Sequence, residues 1–192
     1  KNGVATSLTN GNSVAGANSV FVSGNDVYVA GYETASNINI AKVWKNGVAT
    51  ALTNGTNTAR PNKIVVAGSD VYVAGYEANA AGKSVAKLWK NGVATSLSND
   101  NYYANASDVF VLNSDVYVAG YEGNAAGKTV AKIWKNGVAT SLTDGTNNAE
   151  ANSIFVSGND VYVAGYESNG TKLIAKVWKN GAATSFDAGS NY

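Results

Sequence analysis

One segment, Val-Tyr-Val-Ala-Gly-Tyr-Glu, occurs four times in this chain of 192 residues, and its spacing constrains the fold more than any other feature. The four copies begin at Val27, Val71, Val116 and Val161. A tryptophan recurs in step with them, at Trp44, Trp89, Trp134 and Trp178. A fixed period of about 45 residues is typical of an architecture in which one supersecondary unit is repeated along the chain.

Each period contains four runs of alternating β-branched, aromatic and small residues, which predict four strands, named A to D in chain order. Only Asn46 and Gly47 separate strands C and D of the first period, and this dipeptide favours the two positive φ angles of a type I′ hairpin turn. A Gly-Asn-Asp segment links strands A and B. Each period is therefore predicted to be an antiparallel four-stranded meander.

Both faces of these strands carry apolar or aromatic residues, so each sheet needs a neighbour on either side. This favours an all-β β-propeller of four-stranded antiparallel blades, with four repeats per chain, over a β-solenoid. The chain forms either a closed four-bladed ring or half of a larger ring. We expect one repeat domain over residues 1–192, with repeats at about 10–53, 54–98, 99–143 and 144–187, and residues 1–9 as an extra outer strand.

The run AxSIFVSGNDVYVAGY (residues 151–166), followed by a variable loop and AKVWKNG, resembles the secreted bacterial β-propeller repeat family. The resemblance covers all four periods. It implies a propeller fold and a secreted or cell-surface location, and it brings no catalytic residues to this chain. Propellers host binding, scaffolding and catalysis alike, so the resemblance leaves the activity open.

Composition excludes several kinds of function. The formal net charge is only +1, so the chain does not have the excess of basic residues expected of a nucleic-acid-binding protein. Cysteine and histidine are absent, so we expect no disulfides, no thiolate or imidazole metal site, no cofactor and no Cys- or His-dependent catalysis. The apolar runs have the length of strands, so no membrane insertion is predicted. Because the chain begins within a repeat and contains no methionine, we expect an excerpt or a processed product.

The copies differ mainly in the D–A and B–C loops, which the meander places on one face. Loops on a rigid scaffold often carry binding residues, although exposed loops also diverge freely. We predict that a glycan or protein partner contacts four residues of the D–A connections: Arg60, Tyr102, Tyr103 and Glu150. Lys63 and Asp108, at the start of strand A, are candidates for a ligand contact or polar plug at a channel mouth, or for a solvated pair of rim charges.

Three residue types that recur in every period can be given either a structural or a functional interpretation. The strand-end glutamates, Glu33 and its copies, could hold a hard cation but fit exposed positions better, because strand B is not innermost. The aspartates that follow the A–B turn, Asp26 and its copies, are read as binding nearby backbone N–H groups. The tryptophans could stack on sugars, but their fixed place beside the C–D turn favours packing between blades. No metal site is predicted.

The sequence therefore favours a non-catalytic extracellular interaction module that binds a glycan or protein through its variable loops, and not an enzyme. A self-assembling surface or filament protein is the alternative, and an enzyme of unknown type is third, because no nucleophile–base pair or converging carboxylate dyad can be identified. Strand D occurs at both ends of the chain, so a homo-oligomer joined through edge strands is expected.

Overall fold

The computed structural model describes residues 3–185, and all of the regular structure in this range is β-strand. Sixteen strands form four four-stranded sheets, which we call blades 1 to 4. Blade 1 comprises β1 (Ala15–Ser23), β2 (Asp26–Ala35), β3 (Ile38–Lys45) and β4 (Val48–Ala51). Blade 2 comprises β5 (Ala59–Ala67), β6 (Asp70–Ala78), β7 (Ser84–Lys90) and β8 (Val93–Ser96). Blade 3 comprises β9 (Ala104–Leu112), β10 (Asp115–Gly123), β11 (Thr129–Lys135) and β12 (Val138–Ser141). Blade 4 comprises β13 (Ala149–Ser157), β14 (Asp160–Ser168), β15 (Leu173–Lys179) and β16 (Ala182–Ser185).

In every blade the strands pair antiparallel in chain order, which confirms the predicted meander. The C–D hairpin of blade 1 turns at Asn46 (φ 51°) and Gly47 (φ 85°), the positive angles that a type I′ turn requires. The Asn46 side-chain oxygen also accepts a hydrogen bond from the backbone N–H of Val27 at 2.9 Å. The turn is thereby tied to the start of strand B, and the three other blades repeat this contact.

The core lies between blades. Each blade has a front face, which packs on the next blade in the chain, and a back face, which packs on the preceding blade. At the junction of blades 1 and 2, Tyr28 and Val43 of the first front face contact Ile64, Val73 and Trp89 of the second back face. The same positions build the junction of blades 2 and 3 and the junction of blades 3 and 4. Burial on both sides of a sheet explains why its strands carry apolar residues at nearly every position.

The tryptophans are the largest buried side chains among the described residues. Trp89 and Trp134 are fully buried, and Trp44 and Trp178 are nearly so. Trp89, Trp134 and Trp178 pack at the junctions between blades, which confirms the core interpretation for them, since a ring sealed inside a junction cannot reach a ligand. Trp44 lies on the back face of blade 1, beside Leu8 of the leading segment. Each ring removes a large apolar area from water, and this explains why the position is the same in every copy.

The four blades form an open arc. Consecutive blades pack along their inner strands, but β13 and β14 of blade 4 make no comparable contact with β1 of blade 1. The exposed residues agree with this, since Val20 on the back face of blade 1 is 63% exposed. Over the described residues 3–185, the blades therefore do not close into a four-bladed ring, which is one of the two predicted arrangements.

The predicted extra outer strand at residues 1–9 is corrected for the part that the structure describes. Residues 3–9 contain no strand, and residues 1 and 2 lie outside the described range. A strand D needs a strand C beside it, and the strand C of blade 4 already pairs with β16.

Candidate functional site

Strand A is the innermost strand of each blade, and it faces strand B near the end from which the D–A and B–C loops emerge. At this end, which we call the loop face, one residue of strand A lies opposite a tyrosine of strand B. The four pairs are Gly16 with Tyr32, Arg60 with Tyr76, Asn105 with Tyr121, and Glu150 with Tyr166. An invariant ring of tyrosines thus surrounds four different residues, a glycine, a cation, an amide and an anion.

Arg60 is committed to contacts within the chain. Its guanidinium lies 4.4 Å from the centroid of the Tyr32 ring in the preceding blade, a cation–π geometry. The Arg60 Nε atom is also 2.9 Å from the side-chain amide of Asn39, which lies on β3 of blade 1. The predicted ligand contact therefore stands on the loop face, but its charge is directed toward blade 1.

Glu150 lies beside the tyrosines of blades 3 and 4, at the other end of the arc. Burial, together with a hydrogen bond to the Glu150 carboxylate, raises the pKa of Tyr166 to about 12. Burial also raises the pKa of Tyr121, and the negative charge of Glu150 contributes to that increase. Both shifts have the sign expected when a phenol loses solvent and gains an anionic neighbour. Glu150 therefore sits between the tyrosines of blades 3 and 4.

A cleft of about 640 Å³ opens on the loop face between blades 2 and 3. Three tyrosines line it: Tyr76 and Tyr121 from the ring, and Tyr103 from the third D–A loop. Among the described residues of its lining, none carries a charge. The size falls in the range of small-molecule sites, and the apolar rings alternate with amides and hydroxyls, as in sites that recognise neutral polar ligands.

The amides at the cleft have different tasks. The Asn79 oxygen accepts hydrogen bonds from the backbone N–H groups of Ala81 and Lys83, both at 3.0 Å, and so shapes the B–C loop that forms one rim. The Asn105 oxygen accepts a hydrogen bond from the Asn62 amide at 2.7 Å, which fixes the orientation of Asn105 at the floor. Asn57 lines the opposite side.

Tyr102 and Tyr103 interrupt the third D–A loop, and the structure gives them different positions. Tyr103 is 60% exposed and borders both the main cleft and a smaller one of about 210 Å³. Tyr102 is half-buried and lines only the smaller cleft, with its Cβ close to Gly123. Of the predicted partner-binding residues, Tyr103 is therefore the one in the main cleft.

Lys63 and Asp108 lie deeper than the sequence predicted. They form an ion pair at 3.7 Å in the middle of β5 and β9, behind a β-bulge, and not at the start of strand A. Asp108 is only 6% exposed, and its carboxylate accepts hydrogen bonds from the Ser153 hydroxyl at 2.8 Å and the Ile154 backbone N–H at 3.0 Å. Asp108 thus joins blades 3 and 4, and a solvated pair of rim charges is wrong for this residue.

The repeated carboxylates are held by lysines of their own blade. Glu33 pairs with Lys42, and each of the other strand-end glutamates pairs with the corresponding lysine of strand C. Asp26 contacts the Lys45 ammonium at 2.7 Å and the Asn46 amide at 2.7 Å. The aspartates were expected to bind backbone N–H groups, but the side chains of the C–D turn take that place. These hydrogen bonds, with Lys45 the larger influence, hold the pKa of Asp26 below its usual value.

No family model matches the chain, and no curated protein matches it. Solved structures do. A thermostable family-43 glycoside hydrolase aligns with a TM-score of 0.55 at 12% identity, over 91% of this chain and 73% of the other. A family-43 β-xylosidase/α-arabinofuranosidase from a compost microbial metagenome, in complex with xylotriose, aligns with a TM-score of 0.52 at 9% identity, over 93% and 78%. The fold is that of a β-propeller.

These comparisons correct two predictions. The chain was expected to be a non-catalytic interaction module and not an enzyme, yet the propellers that it is similar to are glycoside hydrolases, so neither prediction is kept. At 9% and 12% identity, the likeness itself shows the fold alone. None of the described residues forms a helix long and apolar enough to cross a bilayer.

Sequence reasoning missed the tyrosine ring. Tyr76 and Tyr121 belong to the VYVAGYE segment, which is the same in all four copies, so differences between copies do not single them out. The signal that could have identified these tyrosines is their position in the strand. The second tyrosine of this segment lies at the loop end of strand B, directly opposite the most variable position of strand A, so invariant and variable residues meet at one site.

Proposed function

We propose that this chain is a carbohydrate-active protein that holds a neutral oligosaccharide in the cleft between blades 2 and 3. The observation that carries the proposal is the lining of that cleft, in which Tyr76, Tyr103 and Tyr121 stand among amide and hydroxyl side chains. The propeller fold, which the chain has in common with two glycoside hydrolases, supports the same substrate class.

The lining suits a sugar on physical grounds. Pyranose rings present C–H faces to an aromatic ring and hydroxyls at their edges, so tyrosines that alternate with amides can satisfy both. A charged ligand is disfavoured, because the described lining offers it no counter-charge. Tyr103 stands exposed at the rim, where a stacked sugar would cover a ring that water now covers.

Glu150 is the carboxylate that this proposal places in bond cleavage. It is not among the residues that line the cleft, but its negative charge contributes to the raised pKa of Tyr121, which does line it, and it lies opposite Tyr166 in the strand pairing. Most glycoside hydrolases use two carboxylates, but some use a tyrosine as the nucleophile. A carboxylate beside a phenol can act as the base that takes its proton during the reaction, whereas the raised pKa of Tyr166 keeps the phenol protonated before it. Glu150 and Tyr166 are therefore the pair to test for hydrolysis.

Location is part of the proposal. Oligosaccharides of plant or microbial walls lie outside cells, so a secreted or cell-surface protein would meet them. The resemblance of the repeats to secreted bacterial propellers agrees with this location.

Binding can be tested by calorimetric titration with neutral oligosaccharides, beginning with xylotriose. Tyr103→Ala should weaken binding by about tenfold, the effect expected when one aromatic stacking partner is lost. Because Tyr103 is exposed, this variant should fold normally. Tyr32→Ala is the matched control, since Tyr32 has the same place in blade 1 but lies under Arg60 and outside the cleft. Equal loss in both variants, or no binding of any neutral oligosaccharide by the wild type, would refute the cleft assignment.

Hydrolysis is measured separately, as release of reducing ends from the oligosaccharide that binds best. Glu150→Gln keeps the size of the side chain and removes its negative charge. If Glu150 acts in cleavage, this variant should lose activity while its affinity stays within about twofold, because catalysis depends on groups that act in the transition state. Activity that survives in Glu150→Gln would exclude the role of Glu150 without touching the binding proposal.

A further inference from the structure

Within residues 3–185, which the structure describes, two faces at the ends of the arc lack the neighbour that the corresponding faces have elsewhere. The first is the back face of blade 1. Val20 is 63% exposed there, whereas Ile64, Val109 and Ile154, the same position in blades 2 to 4, are 0 to 4% exposed. Ala15 and Ala17 are also exposed, although their copies in the other blades are buried.

The second is the front face of blade 4. Ala164 and Ala175 are exposed on it, whereas their copies in blade 3, Ala119 and Ala131, are completely buried against blade 4. Phe155 is 58% exposed, a large apolar side chain at the inner edge of this face. An apolar surface of this kind on a soluble protein marks a place where something binds.

The two faces are the two halves of a junction that the chain already makes three times. The front face of blade 4 presents the same residue types as the front face of blade 3. The back face of blade 1 presents small and β-branched residues at the positions that blade 4 uses to contact blade 3. The packing of blades 3 and 4 therefore describes how blade 4 of one molecule would meet blade 1 of another.

A hydrogen bond supports the same match. At the bulge of β1, the Asn18 amide donates to the carbonyl oxygen of Pro61 in the next blade at 2.6 Å, and the Asn62 amide donates to that of Ala106 at 2.9 Å. Asn152 has this position in blade 4 and is exposed. The carbonyl that it would reach on a following blade 1 is that of Ala17.

The leading segment covers this face only at Trp44. Leu8 lies beside Trp44, where it lines a small cleft with Ala15 and Ala17. Its copies Leu52, Leu97 and Leu142 pack at the internal junctions, so Leu8 already has a place that a complete junction would use. It does not bury Val20.

We propose that copies of this chain join end to end, with the front face of blade 4 of one molecule packed on the back face of blade 1 of a second. The two contacting surfaces are different, so the contact is heterologous and leaves one free face at each end of a pair. Such a pair closes when its free faces also meet, and grows by addition of further copies when they do not. The partner is a second copy because these two faces already match each other.

The test uses one blocked variant for each face and a control. Val20→Lys blocks the back face and Ala164→Arg blocks the front face, and both residues are exposed in the single chain, so each variant should fold. Val138→Lys is the control, since Val138 is a valine 71% exposed on the outer strand of blade 3, away from both faces. Sedimentation velocity over a wide concentration range gives the mass of each species, and circular dichroism confirms the fold.

The wild type and Val138→Lys should associate, whereas each blocked variant alone should show a dissociation constant raised by at least about 30-fold, as for a buried hot-spot residue. An equimolar mixture of the two blocked variants should form a dimer and nothing larger, because one intact front face and one intact back face remain. A monomeric wild type, a mixture that does not dimerise, or an association that Val138→Lys removes would overturn the proposal. The last result would point to the outer edge strands instead.

Discussion

The guanidinium of Arg60 lies 4.4 Å from the centroid of the Tyr32 ring, so a side chain of blade 2 covers an aromatic ring of blade 1. The other three positions equivalent to Arg60 carry a glycine, an asparagine and a glutamate. Divergence at one position of the repeat therefore does not produce one kind of site. It gives an internal contact in blade 2, a cleft floor in blade 3 and an anionic group in blade 4.

Replacement of Arg60 by alanine should reduce stability more than it reduces sugar binding. The cation–π contact is worth about 1 kcal/mol, and its loss should appear as a lower urea midpoint. Affinity for an oligosaccharide should stay within about twofold, because the guanidinium is directed toward blade 1. If affinity falls much further while the urea midpoint is unchanged, Arg60 contacts the ligand, as the sequence first suggested.

Acid should weaken the chain through the aspartates beside the C–D turns. The Lys90 ammonium and the Asn91 amide, which both hydrogen bond to Asp70, lower its pKa in the folded state. A carboxylate with a lowered pKa stabilises the fold above its unfolded pKa of about 3.9, and this contribution is lost as the pH falls through the folded pKa. Asp70→Asn should therefore melt below the wild type at pH 7, and the gap should narrow below pH of about 4. A gap that is constant with pH would mean that the charge of Asp70 is not involved.

Gly75 should not tolerate alanine. A Cβ atom at this position would lie 2.2 Å from the carbonyl oxygen of Arg60 and 2.8 Å from the Cα of Pro61, both backbone atoms of the inner strand. The strands would have to separate, with an expected loss of about 3 kcal/mol in the free energy of unfolding. Gly68→Ala is the comparison, since Gly68 (φ +61°) has open space around it and should lose only about 1 kcal/mol from its left-handed backbone. Equal losses would show that close approach of the strands is not the reason for Gly75.

Titration of Tyr166 should report on Glu150. With a folded pKa of about 12, Tyr166 stays protonated well above the usual value of 10.0. Because the folded pKa is raised, the contribution of this group to stability is complete below about pH 10 and is lost as the pH rises toward 12. Glu150→Gln removes the negative charge, so the Tyr166 phenolate should appear at lower pH in an ultraviolet difference titration. An unchanged titration would show that the charge of Glu150 does not act on Tyr166. It would also remove the reason for treating the two side chains as a pair.

Most of the fold could be predicted from the repeat. VYVAGYE and the Asn-Gly turns predicted the four meanders, and the tryptophans predicted the junctions between them. The arrangement of the inner strands was not readable, because the bulge beside Asp108 depends on pairing between strands A and B. The open ring was not readable either, since Val20 and Ile64 have the same local sequence pattern and differ only in whether a blade precedes them.

The candidate site was predicted in part. Divergence of the D–A loops pointed to Tyr103 and Glu150, and both lie on the loop face. It pointed equally to Lys63, whose ion pair with the buried Asp108 lies in the middle of the inner strands. Variation among the copies shows which positions of the repeat tolerate substitution. Whether a cleft forms there depends on which invariant side chains lie next to the variable ones.

The junctions between blades also determine how the chain should lose its structure. In the single chain, over the described residues, blades 2 and 3 are packed on both faces, whereas blades 1 and 4 are each packed on one. In a linear array, stability comes from each unit and from its nearest neighbours, so opening begins at the termini and moves inward. Amide protons of β6 and β10 should therefore exchange with solvent more slowly than those of β2 and β14, although the four strands share the same VYVAGYE segment. Position along the array, and not local sequence, sets the lifetime of each hydrogen bond.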